Sequence, residues 1–188
     1  MSVFGVWVMI GGVMVVMLSI LLFSFFLLFS IPIAGLFYGA PWVRTRKKII
    51  QSMIDIAKIT DGEVVMDVGC GDGTILFEVL KRFPSVRVIG IDCNPFLIWR
   101  CQLRAWLGGY GSRATFLRED LRTGIIPKAD VVMLYLLPPL MERLRPRLKA
   151  VLDPTARIVS NAFTFASTVS ENAQVSTLPI SLYFPKDL

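Results

Sequence analysis

Between Asp67 and Gly73 the chain reads "DVGCGDG", three glycines and two aspartates placed directly after the apolar run "EVVM". Gly69, Gly71 and Gly73 follow a strand pattern and precede a helical one, so the backbone can turn tightly and approach a ligand with no Cβ in the way. The next strand pattern ends in Asp92, about 20 positions on, where a carboxylate can accept both hydroxyls of a bound ribose. A dinucleotide site wants Gly or Ala at the third position of GxGxxG, so that the diphosphate meets the helix N-terminus. Here that position is Thr74, and Asp72 inside the turn would repel a diphosphate. An acidic turn suits instead a ligand that carries an ammonium group and a sulfonium, and S-adenosylmethionine is such a molecule. A nicotinamide-dependent oxidoreductase remains the alternative on these residues alone.

The rest of the composition narrows the chemistry. Histidine is absent from all 188 residues, which removes Ser-His-Asp and Cys-His nucleophiles and histidine metal ligation. Cys70, Cys93 and Cys101 have no CxxC spacing, so no disulfide framework and no metal site is expected.

The elements that must hold these residues follow from periodicity. "TRKKIIQSMIDIAKI" places Ile49, Ile50, Met53, Ile54 and Ala57 on one helical face, with Thr45 as N-cap. Strands are predicted at "EVVMDV", "VRVIGID", "RATFLRED", "ADVVMLYLL" and "ARIVSNAF", with two more near "QVSTL" and "SLYF". Helices are predicted at "TILFEVLKRF", "PFLIWRCQLRAWL" and "PLMERLRPRLKAVL", the last bent or broken at Pro146. Trp99, Leu103 and Trp106 fall on one helical face and read as core or cofactor lid. This alternation implies a doubly wound, mostly parallel Rossmann-like α/β sheet of seven strands, with ligands at the carboxyl ends of its strands.

From Met1 to Val43 no residue is charged, and the apolar run far exceeds the roughly 20 residues that span a bilayer core. The expected division is an anchor over 1–43, its transmembrane helix at about 4–29, and a soluble domain over 44–188. Arg44, Arg46, Lys47 and Lys48 follow the run at once, which predicts a single-pass protein whose domain faces the cytoplasm. The net charge of +6 lies wholly in the second part. A second basic cluster, Arg143, Arg145, Arg147 and Lys149, fits a solvated face or a bilayer surface with anionic headgroups.

"DVGCGDG" resembles the first motif of class I, seven-stranded S-adenosylmethionine methyltransferases. That resemblance implies that Asp67 and the glycine loop hold the methionine end of the cofactor, that Asp92 binds the ribose, and that Asp120 in "REDL" meets the adenine amino group. A turn cap is the other reading of Asp120. The cofactor contacts so implied are Asp67, Gly69, Cys70, Gly71, Gly73, Asp92, Asn94, Asp120 and Leu121. "APWVRT", "DCNPFLIWRCQLRAW" and "YLLPP" together are similar to the membrane-tethered protein-lysine methyltransferases that in mitochondria modify the adenine nucleotide carrier and the ATP synthase c-ring protein, and to their prokaryotic relatives. Asp92 stands where that family is expected to carry Glu, and Cys70 where a small residue is commoner.

The resemblance implies a lysine acceptor in a membrane protein. Enzymes that methylate amines of flipped bases carry Asp or Asn before Pro-Pro, and Leu137 stands there, so no nucleic-acid substrate is expected. Tyr135 and Pro138 are the candidates for an apolar channel in which lysine arrives neutral, plain core packing being the alternative for Tyr135. Trp42 and Thr45 could close the site. Lipid or quinone methylation, and a nucleotide-binding membrane scaffold without turnover, complete the alternatives.

Overall fold

The computed structural model describes residues 3–37, 44–166, 171–174 and 179–188. The chain divides into two compact units, Met1–Trp42 and Val43–Leu188. The first holds one helix, α1 (Val3–Phe37), without a charged residue and with Trp7, Met14, Leu21 and Phe23 exposed. Among the described residues no helix is long and apolar enough to cross a membrane.

The second unit opens with α2 (Lys47–Ala57) and continues β1 (Val64–Val68), α3 (Thr74–Arg82), β2 (Arg87–Asp92), α4 (Pro95–Leu107), β3 (Ala114–Arg118) and β4 (Val131–Leu134). It ends with α5 (Pro138–Val151), β5 (Arg157–Asn161), β6 (Glu171–Gln174), β7 (Pro179–Tyr183) and a short 3₁₀ turn, Pro185–Asp187. The seven strands form one sheet in the order β3-β2-β1-β4-β5-β7-β6. β1 to β5 pair in parallel, β7 runs antiparallel to β5, and β6 antiparallel to β7. The fold is thus the Rossmann-like, mostly parallel α/β fold expected from the alternation of elements.

Strand alternation sends side chains to two cores. Val65, Met133 and Val159 join Ile50, Met53, Leu76, Leu80 and Cys101 of α2, α3 and α4 on one face. Met66, Leu134 and Ile158 join Met141, Leu144 and Leu148 of α5 on the other. Register aligns the strand ends: Val68 pairs with both Ile91 and Leu134, and Leu134 with Ser160. The loops that carry Gly69, Asp92, Tyr135 and Asn161 therefore leave the sheet along one edge.

Three local expectations are corrected. Thr45 does not cap α2, because the helix starts one residue later with Arg46 at the cap position and no side-chain cap. α5 runs through Pro146 without breaking, held by the fully buried Leu144 and Leu148 on either side of it. The sixth strand lies at Glu171–Gln174; of the expected "QVSTL" only Gln174 is described, and 175–178 lie outside the described residues. Trp99 and Trp106 are not core, being 55% and 74% exposed. α4 carries two apolar stripes, Leu97, Ile98, Cys101 and Ala105 turned to the sheet, and Phe96, Trp99, Leu103, Trp106 and Leu107 turned outward.

Beneath the glycine loop the packing leaves no room for a methyl group. A Cβ on Gly90 of β2 would lie 2.5 Å from Phe116 Cδ1 and 2.9 Å from Cys70 Sγ. Gly90→Ala is therefore expected to destabilise the domain by ~1–3 kcal/mol, read as a lower urea midpoint at an unchanged slope.

Candidate functional site

β1 ends in a loop that bends back on the neighbouring strand. The N–H groups of Gly69 and Cys70 both donate to the Ile91 carbonyl, at 2.8 and 2.9 Å, and the Gly73 N–H closes a turn on the Cys70 carbonyl at 2.9 Å. Gly69, Gly71 and Gly73 all have positive φ, the left-handed backbone that favours glycine. Gly69 is doubly required, since its Cβ would sit 2.7 Å from Leu136 Cδ2. Asp92 clasps this loop: one carboxylate oxygen accepts the Gly71 N–H at 2.9 Å, the other the Asn94 N–H at 2.8 Å. Asn94 in turn caps α4, its Oδ1 accepting from the N–H groups of Phe96 and Leu97 at 3.0 and 3.4 Å. The Asn94 oxygen is thus committed to the helix.

Cys70, expected among the cofactor contacts, turns its side chain into the core. Its side chain is buried in the core against Gly90, and Cys101 Sγ lies 3.5 Å from the Gly71 carbonyl. A hydrogen bond with Cys101, and then burial, hold the Cys70 thiol well above its ordinary range. Only the Cys70 backbone faces the loop.

Three acids meet here, and the structure separates their roles. Asp72 is buried, yet its Oδ2 accepts from Arg44 Nη2 at 2.9 Å, and Arg100 Nη2 stands 4.0 Å away. Its Oδ1 accepts the Thr74 N–H at 3.2 Å and the Thr74 hydroxyl at 2.5 Å. Burial pushes its carboxyl up, but Thr74 and Arg44 outweigh that and leave it below the usual value. Its charge is neutralised, so Asp72 is not the group that selects a cation. Asp67 is buried at the end of β1 with no hydrogen bond among the described residues, and burial, with Asp92 and Asp72 nearby, raises its pKa to about 8. Burial also raises Asp92, against the pull of the Asn94 and Gly71 N–H groups. A positive group beside Asp67 would relieve this cost.

At the end of β3, Asp120 is gripped by Arg122, whose Nε and Nη2 donate at 3.0 and 2.7 Å and whose backbone N–H donates at 2.9 Å. These bonds lower its pKa to about 2. The turn-cap reading of Asp120 is the one observed, and an adenine amino group would have to share that carboxylate. Leu121 lies 3.6 Å from the Cβ position of Gly69. Arg147 holds its loop through the Leu121 and Gly124 carbonyls. Arg147 is thus a loop clamp, unlike the solvated or lipid-facing group expected. At the end of β4, Tyr135 is half-buried and stacks on Phe163 with ring centroids 6.3 Å apart. Pro138 is exposed at the first position of α5. Trp42 lies outside the described residues. Arg44, Arg100 and Asn161 were missed by reasoning from sequence; the only signal for Arg44 was its place next to the apolar run.

Residues 67–172, more than half of the chain, match the family model described as the ANTKMT methyltransferase domain. The chain belongs to this family. The methyltransferase is 32% identical over 123 residues to a protein-lysine N-methyltransferase of Saccharolobus islandicus, covering 65% of this chain and 76% of the relative. It is 27% identical over 123 residues to the adenine nucleotide translocase lysine N-methyltransferase of Mus musculus, covering 65% of this chain and 53% of that protein. The match thus spans only about half the length of the mouse relative. Among solved structures, an RNA methyltransferase of Salinibacter ruber in complex with S-adenosyl-L-homocysteine superposes with a TM-score of 0.71 at 28% identity, covering 76% of this chain and 93% of that one.

The methyltransferase depends on S-adenosylmethionine, and the residues present fit that group. Asp67 is a buried acid without a counter-charge, suited to the ammonium of the methionine end. The Asp92 carboxylate is suited to its ribose, and Leu121 with Leu136 offers an apolar bed above Gly69.

A carboxyl group whose folded pKa is raised stabilises the fold fully at pH below its unfolded pKa, and that contribution is lost as pH rises through the folded value, about 8 for Asp67. The ligand-free methyltransferase is expected to lose thermal stability across that window, and Asp67→Asn to flatten the loss. Calorimetry in buffers of different ionisation enthalpy should show a proton released on cofactor binding near neutral pH. In Asp67→Asn that proton should disappear and the affinity fall.

Proposed function

We propose that this methyltransferase transfers a methyl group to a lysine side chain of a membrane protein while held at the bilayer by residues 1–43. The similarity to the Saccharolobus protein-lysine N-methyltransferase over three quarters of that protein's length carries the lysine reading. The apolar surroundings of Tyr135, and Leu137 where base-methylating enzymes place Asp or Asn, support it. When bound, S-adenosylmethionine supplies an electrophilic methyl group on sulfur. The chain's own work is alignment and exclusion of water. Asp67 and the loop hold the methionine end, Asp92 the ribose, and the Asn94 backbone and Asp120 flank the adenosine. Tyr135 stands at the next strand end, where a lysine passing between apolar side chains is favoured in its neutral, nucleophilic form.

The anchor is supported by the uncharged sequence of α1 and by the four basic residues that follow at 44–48. That charge bias favours a domain on the cytoplasmic side. The outward stripe of α4, with Trp99, Trp106 and the flanking Arg100, has the composition of an interfacial surface.

Incubation of membranes with methyl-labelled S-adenosylmethionine, followed by separation of lipid, RNA and protein, tests the acceptor: label should be recovered as methyllysine in protein. Label in the lipid extract or in RNA would replace the lysine reading. Tyr135→Phe should slow transfer while leaving cofactor affinity unchanged. The full chain should stay in the pellet after alkaline carbonate extraction, and its release would end the anchor reading.

A further inference from the structure

β5 ends unlike the other parallel strands. Ala162 has φ +68°, a left-handed conformation that a non-glycine residue adopts only at a cost. The Phe163 N–H donates to the Asn161 carbonyl at 2.9 Å, closing a three-residue turn, and Ser160 Oγ donates to the Phe163 carbonyl at 2.6 Å. This strained turn folds the Phe163 ring onto Tyr135 with an interplanar angle of 23°. Inside it lies Asn161, 1% exposed, whose Oδ1 is buried with no hydrogen-bond partner among the described residues. An unpaired buried acceptor is rare in native proteins and marks a place where a donor is missing. Two unfavourable features thus coincide at one strand end.

The topology says which donor. Asn161 shares the sheet face of Val159, two residues before it, as Asp67 shares that of Val65, and both valines pack in the core under α2 and α3. Since Leu134 pairs with Ser160, Tyr135 and Asn161 are the next residues on adjacent strands, and Asp67 lies one strand beyond β4. The order along the edge is therefore the cofactor-side acid, the tyrosine, then the unpaired amide oxygen.

We propose that Asn161 Oδ1 is the acceptor-amine site: it receives one N–H of the substrate lysine, whose methylene chain runs alongside the stacked rings of Tyr135 and Phe163. This rests on the lysine reading above. A neutral amine has N–H donors and one lone pair, so fixing an N–H on the amide oxygen turns the lone pair toward the methyl group. The amine nitrogen forms the N–C bond, the C–S bond breaks with its electron pair kept by sulfur, and the methylated ammonium then gives its proton to solvent. An amide suits this role better than a carboxylate, which would hold the lysine in its charged, unreactive form. The aromatic walls accommodate the cationic product.

The test uses the full chain saturated with S-adenosylhomocysteine and n-butylamine as a lysine side-chain probe. Asn161→Leu should leave S-adenosylhomocysteine affinity and the ligand-free melting temperature undiminished, while butylamine binding weakens by about tenfold, the effect of one hydrogen bond. Asn161→Asp should retain butylamine binding and displace the pH profile of labelled-methyl transfer to butylamine upward, which a merely structural role would not do. Wild-type butylamine binding in Asn161→Leu, loss of S-adenosylhomocysteine binding in it, or an unmoved pH profile in Asn161→Asp would each overturn the proposal. No butylamine binding by the wild type would overturn the lysine reading and the proposal with it.

Discussion

The Asp92 carboxylate is the constraint on which the site depends. One oxygen holds the glycine loop through Gly71, the other holds the turn into α4 through Asn94, which itself caps that helix. The end of one strand thereby fixes two loops and a helix start. Because Gly69, Gly71 and Gly73 lie in backbone regions open mainly to glycine, the loop has little intrinsic preference for this shape and takes it from its bonds to Ile91 and Asp92.

Electrostatics divides the neighbouring acids. Asp72, the carboxylate within the loop, is compensated by Arg44 and Thr74 and serves to start α3. Asp67 is buried with no hydrogen bond among the described residues, and burial, with Asp92 and Asp72 nearby, raises its pKa to about 8. Arg44, the first charged residue after α1, ties the start of the second unit to the loop through Asp72.

Along the sheet edge the site has two halves. In the proposed site, the ends of β1, β2 and β3 carry Asp67, Asp92 and Leu121 on the cofactor side, and those of β4 and β5 carry Tyr135 and Asn161 on the acceptor side. The first half is rich in hydrogen bonds that are already made. The second contains a strained turn and an unpaired oxygen, the pattern expected where a substrate completes the structure.

Local periodicity determined most of the fold, because strand and helix patterns follow from nearest-neighbour geometry: every strand of the sheet was anticipated to within a few residues, as was the glycine loop with Asp92. Pro146 and the second stripe of α4 were misread, since the packing of Leu144 and Leu148 overrides a proline, and the outward face of Trp99 and Trp106 depends on what the sheet already buries. Only the tertiary structure decided that Asp72 is paired with Arg44, that Cys70 points into the core, and that Asn161 Oδ1 has no partner among the described residues. Those facts depend on which residues meet in three dimensions, as Arg44 meets Asp72 across 28 positions, and no local pattern encodes such a meeting.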